Sequence, residues 1–180
     1  MEKFTETYDR LWQAIIRPPR FMYLIKELGP TEEEMYPGMT VVRTDFVLKS
    51  SKGHTMHCSH FEPEESERKW DEMPCVIYLH GNGSSRMEAL PLVDHCLEAR
   101  MTLVCFDFAG CGKSEGDYIS LGWFEKDDLA IVVDHLRKNR KVSTVGLWGR
   151  SMGAATALLH ANRDPSIAAL ILDSSFADLK

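Results

Sequence analysis

At 180 residues, with 44% hydrophobic and 27% charged residues, the chain has the size and make-up of one globular domain with its own core, and is short for two. Twenty-one Lys and Arg against 27 Asp and Glu give a net charge of -6, and no basic patch stands out, which excludes a nucleic-acid-binding surface. The five cysteines (Cys58, Cys75, Cys96, Cys105, Cys111) include no Cys-x-x-Cys pair, and no apolar run nears the ~20 residues of a membrane span, so the expectation is a cytoplasmic protein with reduced thiols.

The opening residues Met1 to Glu6 lack the basic start and long apolar stretch of a signal peptide. Residues 1–38 read as an N-terminal helical extension, with amphipathic pieces over about 4–17 and 21–28. Arg17-Pro18-Pro19-Arg20 between them cannot continue a helix and must turn the chain. Leu28-Gly29-Pro30 and the acidic run Thr31 to Glu34 read as a connection. Trp12, Ile15, Ile16, Phe21, Tyr23 and Leu24 offer an apolar face for docking on the main domain or on a membrane. Membrane association is the less favoured of the two, because the polar face carries no dense Lys/Arg cluster.

Residues 39–180 read as the core domain. Strands over 40–48 and 54–61 flank the hairpin turn Ser50-Ser51-Lys52-Gly53. Four apolar runs follow, Cys75–Leu79, Thr102–Phe106, Thr144–Trp148 and Ile167–Leu172, whose unbroken hydrophobicity suits parallel strands covered on both faces. Between the first two, Ser85-Arg86-Met87-Glu88 fits a capping box, but Pro91 points to a short turn and then a helix from near Pro91. A helix over about 121–139 places Leu129, Val132, Val133 and Leu136 on one face, with acids early and Arg137 and Lys138 late, as the helix dipole favours. Strand–helix alternation of this kind forces right-handed crossovers. It predicts an α/β fold of six strands, mostly parallel, with helices on both faces.

Open parallel sheets gather their chemistry at the C-terminal ends of strands. Gly149-Arg150-Ser151-Met152-Gly153 follows Val145-Gly146-Leu147-Trp148 and opens a run of helix formers. A nucleophile on a strand-to-helix turn needs a glycine on each side because the backbone is crowded and strained there, so Ser151 is the candidate nucleophile, flanked by Gly149 and Gly153. Leu79-His80-Gly81-Asn82-Gly83-Ser84 ends an earlier strand. Its glycines Gly81 and Gly83 fit a loop that supplies one oxyanion N–H, assigned to Asn82, with Met152 supplying the other. His80 reads as structural. The third strand end, Asp107 to Gly116, contains Gly112-Lys113-Ser114, but Asp107 stands where a phosphate-binding loop needs glycine and Gly116 interrupts the required helix. In the cluster His54, His57, Cys58 and His60, strand alternation turns His57 away from the other three, so no metal is expected.

The three motifs, His80–Asn82, Asp107–Gly116 and Gly149–Gly153, stand in the order found in α/β-hydrolases. The chain resembles the N-terminal half of the serine aminopeptidase-like (S33) and Bem46-like groups. Ile16 to Arg20, Gly122-Trp123 to Asp128 and Asp173-Ser174-Ser175-Phe176 resemble protist and plant members in particular. The resemblance implies a serine hydrolase, without cofactor, that cleaves an ester, thioester or amide of a small acyl-containing substrate through an acyl-enzyme.

A serine needs a base, and in this fold the chain order is Ser, acid, His. His160 is the one histidine after Ser151, nine residues along the same predicted helix and so about 13 Å away. Asp173 ends the last predicted strand, and the resembled groups place the acid after the next one, so Asp173 reads as structural. The core is therefore expected to be truncated after its sixth strand, with acid and base beyond Lys180 and the 180-residue chain inactive alone. The competing expectation is a non-catalytic, truncated or degenerate hydrolase domain that acts as a binding module. The sequence leaves acyl group and oligomeric state open.

Overall fold

The computed structural model describes residues 12–35, 38–139 and 141–176. Ser50 and Gly53 close the first hairpin. The Ser50 amide donates to the His54 carbonyl at 2.8 Å, the Ser50 hydroxyl accepts the His54 amide at 3.0 Å, and Gly53 takes a φ of 82°. The hairpin strands belong to a seven-stranded sheet of β1 (Glu32–Met35), β2 (Met39–Lys49), β3 (Thr55–Pro63), β4 (Met73–Leu79), β5 (Thr102–Phe106), β6 (Val142–Arg150) and β7 (Ala169–Asp173). Its order is β1-β2-β3-β5-β4-β6-β7. The β1-β2, β2-β3 and β3-β5 ladders are antiparallel, and the β5-β4, β4-β6 and β6-β7 ladders are parallel.

The sequence suggests six strands, and the seventh is β1. Glu32-Glu33-Glu34 has neither apolar alternation nor strand propensity. It becomes a strand because the free edge of β2 offers main-chain partners, Glu32 opposite Val42 and Glu34 opposite Thr40. Its carboxylates face solvent, which guards the edge against pairing with another chain.

Helices cover both faces. On one, α1 (Val93–Glu98) packs Val93, Cys96 and Leu97 against Phe61, Tyr78, Leu103 and Cys105. On the other, α2 (Glu125–Asn139) and α3 (Met152–Ala161) set Leu129, Val132, Val133, Leu136 and Ala157 on Ile77, Leu79, Val104, Phe106 and Leu147. Both layers are built of buried side chains, and they hold the ends of β4, β5 and β6 in fixed relation. The five cysteines are free thiols and all are buried. Burial pushes the Cys75, Cys105 and Cys111 thiols up to about 12.

One helical expectation changes, that over 21–28. Most of the piece over 4–17 lies outside the described residues, of which 12–16 are helical. The piece over 21–28 is reduced to one 3-10 turn at Ile25–Leu28. Its preceding residues are drawn into the core domain instead. Arg20 donates to the Ser114 carbonyl at 2.6 Å and to the Gly116 carbonyl, and the Tyr23 hydroxyl donates to Asp107 at 2.6 Å. The Ile119 amide donates to the Ile16 carbonyl at 2.7 Å. Residues 15–23 thus run as a strap over the loops that leave β4 and β5. Between β4 and α1, the segment Arg86–Leu92 is a 3-10 helix that accommodates Pro91, and the α-helix starts at Val93.

The last described strand stays uncovered. Leu170, Ile171 and Leu172 of β7 are 37%, 48% and 37% exposed, and Leu158 and Leu159 of the adjoining α3 are also exposed. No helix among the described residues is long and apolar enough to cross a membrane.

Candidate active site

Ser151 stands between Arg150, the last residue of β6, and Met152, the first of α3. Its backbone has φ 52° and ψ -114°, a conformation that costs a non-glycine residue about 1–3 kcal/mol. A serine at a helix N-cap ordinarily sits in extended backbone and spends its hydroxyl on the first turn. The Ser151 hydroxyl makes no such capping bond. Its amide donates to the Asp173 carbonyl at 2.8 Å and its carbonyl accepts the Ala155 amide at 3.1 Å, so strand and helix impose the bend from either side.

The flanking glycines are steric necessities. A methyl group on Gly149 would stand 2.3 Å from the Gly153 carbonyl oxygen, and one on Gly153 would stand 2.0 Å from the Leu79 carbonyl oxygen. The first turn of α3 therefore lies directly on the end of β4. That contact brings the elbow to the glycine loop, where a methyl on Gly81 would be 3.9 Å from the Ser151 Cβ.

Hydrogen bonds fix the loop itself. The Gly81 carbonyl accepts His80 Nδ1 at 2.8 Å and the Ser84 amide at 3.2 Å. A trans peptide points its N–H opposite to its C=O, so pinning the Gly81 carbonyl aims the Asn82 N–H the other way. His80 is fully buried, and its Nε2 accepts the Phe108 amide at 3.2 Å, which makes it the neutral Nδ1–H tautomer. Burial lowers its pKa and keeps it neutral. Gly83 takes φ 71°, and its α-carbon lies against Pro18 of the strap. The Asn82 side-chain amide reaches the Ile15 carbonyl at 3.4 Å. The Met152 amide heads α3, where the first four N–H groups have no partner within the helix.

Three further residues organise the site, and the sequence assigned a site role to none of them. Glu88 turns away from the capping box. Its carboxylate accepts Tyr78 Oη at 3.0 Å, the Gly81 amide at 3.2 Å and Arg150 Nη1 at 2.8 Å. Burial alone would raise its pKa, but these bonds and one from Ser84 outweigh it and hold the carboxyl below the usual range. Asp107, fully buried, accepts Tyr23 Oη at 2.6 Å, the Arg86 amide at 2.7 Å and the Lys113 amide at 2.9 Å. Its carboxylate leaves no room for a side chain at Gly112, where a methyl would stand 2.4 Å from the carboxyl carbon. Arg86, also buried, donates from Nε to Tyr23 Oη at 2.7 Å.

His160 is buried at the far end of α3, with Nε2 3.5 Å from Asp164. Asp173 serves the elbow through its carbonyl, while its carboxylate accepts Ser174 Oγ at 2.7 Å and lies 3.9 Å from Arg150 Nε. On β3, Cys58 is in the core and His60 Nε2 pairs with Thr102 Oγ1 at 2.9 Å. Among the described residues, no three His, Cys, Asp or Glu side chains converge on a point that would hold a metal ion.

Residues 72–180 match the family described as serine aminopeptidase, S33. The chain is 32% identical to the protein YqkD of Bacillus subtilis over 75% of its own length and 43% of that protein's. It is 34% identical to the 2,6-dihydropseudooxynicotine hydrolase of Paenarthrobacter nicotinovorans over 59% of its length and 29% of the relative's. Among solved structures, the esterase Pf2001 of Pyrococcus furiosus superposes with a TM-score of 0.69 at 27% identity, over 89% of this chain and 58% of that one. The chain thus spans about half the length of the relatives it matches. With the three motifs, the sheet and the strained serine all in place, the chain belongs to the serine aminopeptidase S33 family of α/β-hydrolases.

Proposed function

We propose that the protein is a serine hydrolase that cleaves an ester, thioester or amide of a small acyl-containing substrate through an acyl-enzyme on Ser151. The observation that carries this reading is the Ser151 backbone at φ 52°, with the hydroxyl not spent on capping α3. Strain of this kind persists where the surrounding structure over-determines it, and here it holds the Ser151 Cβ beside Gly81. The serine oxygen attacks the substrate carbonyl, the Asn82 and Met152 amides stabilise the oxyanion, the alcohol, thiol or amine leaves with a proton, and water releases the acid. Supporting the same chemistry, relatives and structural neighbours include a hydrolase and an esterase.

The serine requires a base, and neither the histidine of the glycine loop nor that of α3 offers one. Both ring nitrogens of His80 are engaged, and His160 is buried beside Asp164. We place the acid and the base beyond Lys180, since the chain spans 43% of YqkD. A second reading, a binding module without catalysis, draws on the same engagement of His80 and burial of His160. A panel of p-nitrophenyl esters of rising chain length, run on the full-length protein and on Ser151→Ala, separates them. Hydrolysis that disappears in Ser151→Ala supports the enzyme, and ester binding without turnover supports the module.

A further inference from the structure

We propose that Glu88 is a positioning residue for the oxyanion site and that Arg150 is its charge partner; the proposal rests on Ser151 as nucleophile and Asn82 N–H as donor. One oxygen of Glu88, Oε2, accepts the Gly81 amide at 3.2 Å. The other, Oε1, accepts Tyr78 Oη at 3.0 Å and Arg150 Nη1 at 2.8 Å. A single carboxylate therefore ties the backbone of the glycine loop to the residue that precedes the nucleophile.

Two consequences follow from this arrangement. With its N–H on Glu88 and its carbonyl on His80 and Ser84, Gly81 has both polar groups committed, and the peptide that ends in the Asn82 N–H has one orientation. A donor that need not reorganise during reaction is worth far more than a mobile one. The second consequence is electrostatic. A carboxylate next to a developing oxyanion opposes it, because like charges at short range disfavour each other. Arg150 offsets that charge, and it also approaches Asp173 at 3.9 Å, so its guanidinium faces the ends of both β4 and β7.

This arrangement predicts an order of effects that a merely structural contact would not produce. Glu88→Ala frees the Gly81 amide and strands Arg150, and should lower kcat about 10- to 100-fold with KM changed less than about threefold. Arg150→Ala leaves an uncompensated carboxylate beside the oxyanion, and should slow acylation by a similar factor. Adding Glu88→Gln to Arg150→Ala removes that stranded charge while keeping an acceptor for the Gly81 amide. The double variant should therefore react several-fold faster than Arg150→Ala alone.

The test is the second-order rate of fluorophosphonate reaction in the full-length protein for wild type, Glu88→Ala, Glu88→Gln, Arg150→Ala, the double variant and Ser151→Ala. Thermal midpoints are measured alongside. Arg150 is more than half exposed, so the comparison of Arg150→Ala with the double variant stands even if Glu88→Ala does not fold. Partial rescue in the double variant supports the proposal. Losses that multiply, or Glu88 and Arg150 variants reacting within about twofold of wild type while Ser151→Ala is inert, would overturn it. Undiminished reaction of Ser151→Ala would overturn the nucleophile assignment beneath it.

Discussion

Gly153 rests against the carbonyl oxygen of Leu79 so closely that a methyl group on its α-carbon would stand 2.0 Å from that oxygen. Through this contact the turn that carries Ser151 reads the position of β4, and with it the glycine loop that β4 leads into. Gly81, two residues beyond Leu79, has room, since the nearest atoms to an added methyl are 3.8 Å or more away. The two glycines should thus behave oppositely. Gly153→Ala should lower stability by about 3 kcal/mol or more, because backbone on both sides must shift. Gly81→Ala should fold with a near-normal denaturant midpoint yet lose most activity, its methyl occupying space beside the Ser151 Cβ. Urea midpoints and esterase rates on the two variants check both halves.

Besides the bonds of Arg20 and Ile16, a buried hydroxyl fastens the strap over residues 15–23. Tyr23 Oη donates to Asp107 at 2.6 Å and accepts Arg86 Nε at 2.7 Å. Burial and the neighbouring Asp107 charge raise the Tyr23 pKa, so the phenol stays a donor across physiological pH. Tyr23→Phe leaves a buried Arg86 donor unpaired and should cost about 1–3 kcal/mol. Asp107→Ala removes the carboxylate nearest Arg86 and should cost about 3–5 kcal/mol, with increased proteolysis of the strap. Equilibrium unfolding and limited proteolysis are the measurements.

A buried acid sets a pH dependence of stability. Asp128, at the start of α2, is 3% exposed. Burial is the main cause that raises its pKa from 3.8 to about 7, helped by the charges of Glu125 and Asp127 and opposed by the Ala109 amide and Lys52. Between those two values the folded protein keeps a proton that the unfolded chain has released. Stability should therefore fall as pH rises through that window, by about 4 kcal/mol in all, and level off above it. Asp128→Asn should flatten the slope, matching wild type near pH 4 and exceeding it at pH 8. A series of unfolding midpoints from pH 4 to 8 shows the two curves.

Much of this was readable in the chain, because it depends on local pattern. The runs Cys75–Leu79 and Thr102–Phe106 become strands with their sides buried, the second with the expected bounds and the first starting two residues earlier, at Met73. The elbow was readable because only glycine fits at 149 and 153. What was not readable depends on partners distant in sequence. Asp107 gains its role from Tyr23, 84 positions away, and Arg86, 21 positions away. Glu88 reads locally as a helix cap, and only the folded loop turns it toward Gly81 and Arg150. The acidic β1 has no strand signal of its own and borrows its structure from the edge of β2. Likewise the apolar spacing over 21–28 suggests a helix, which loses to the tertiary bonds of Arg20 and Tyr23.

The central claim, that the hydroxyl at the bend between β6 and α3 is the nucleophile, is tested most directly by locating a covalent adduct. The full-length protein is treated with a fluorophosphonate, digested with trypsin, and the modified residue identified by mass spectrometry. A single adduct on the peptide that runs from Ser151 to Arg163, absent in Ser151→Ala, is the predicted result. An adduct on a different residue, or one that survives in Ser151→Ala, would contradict the account.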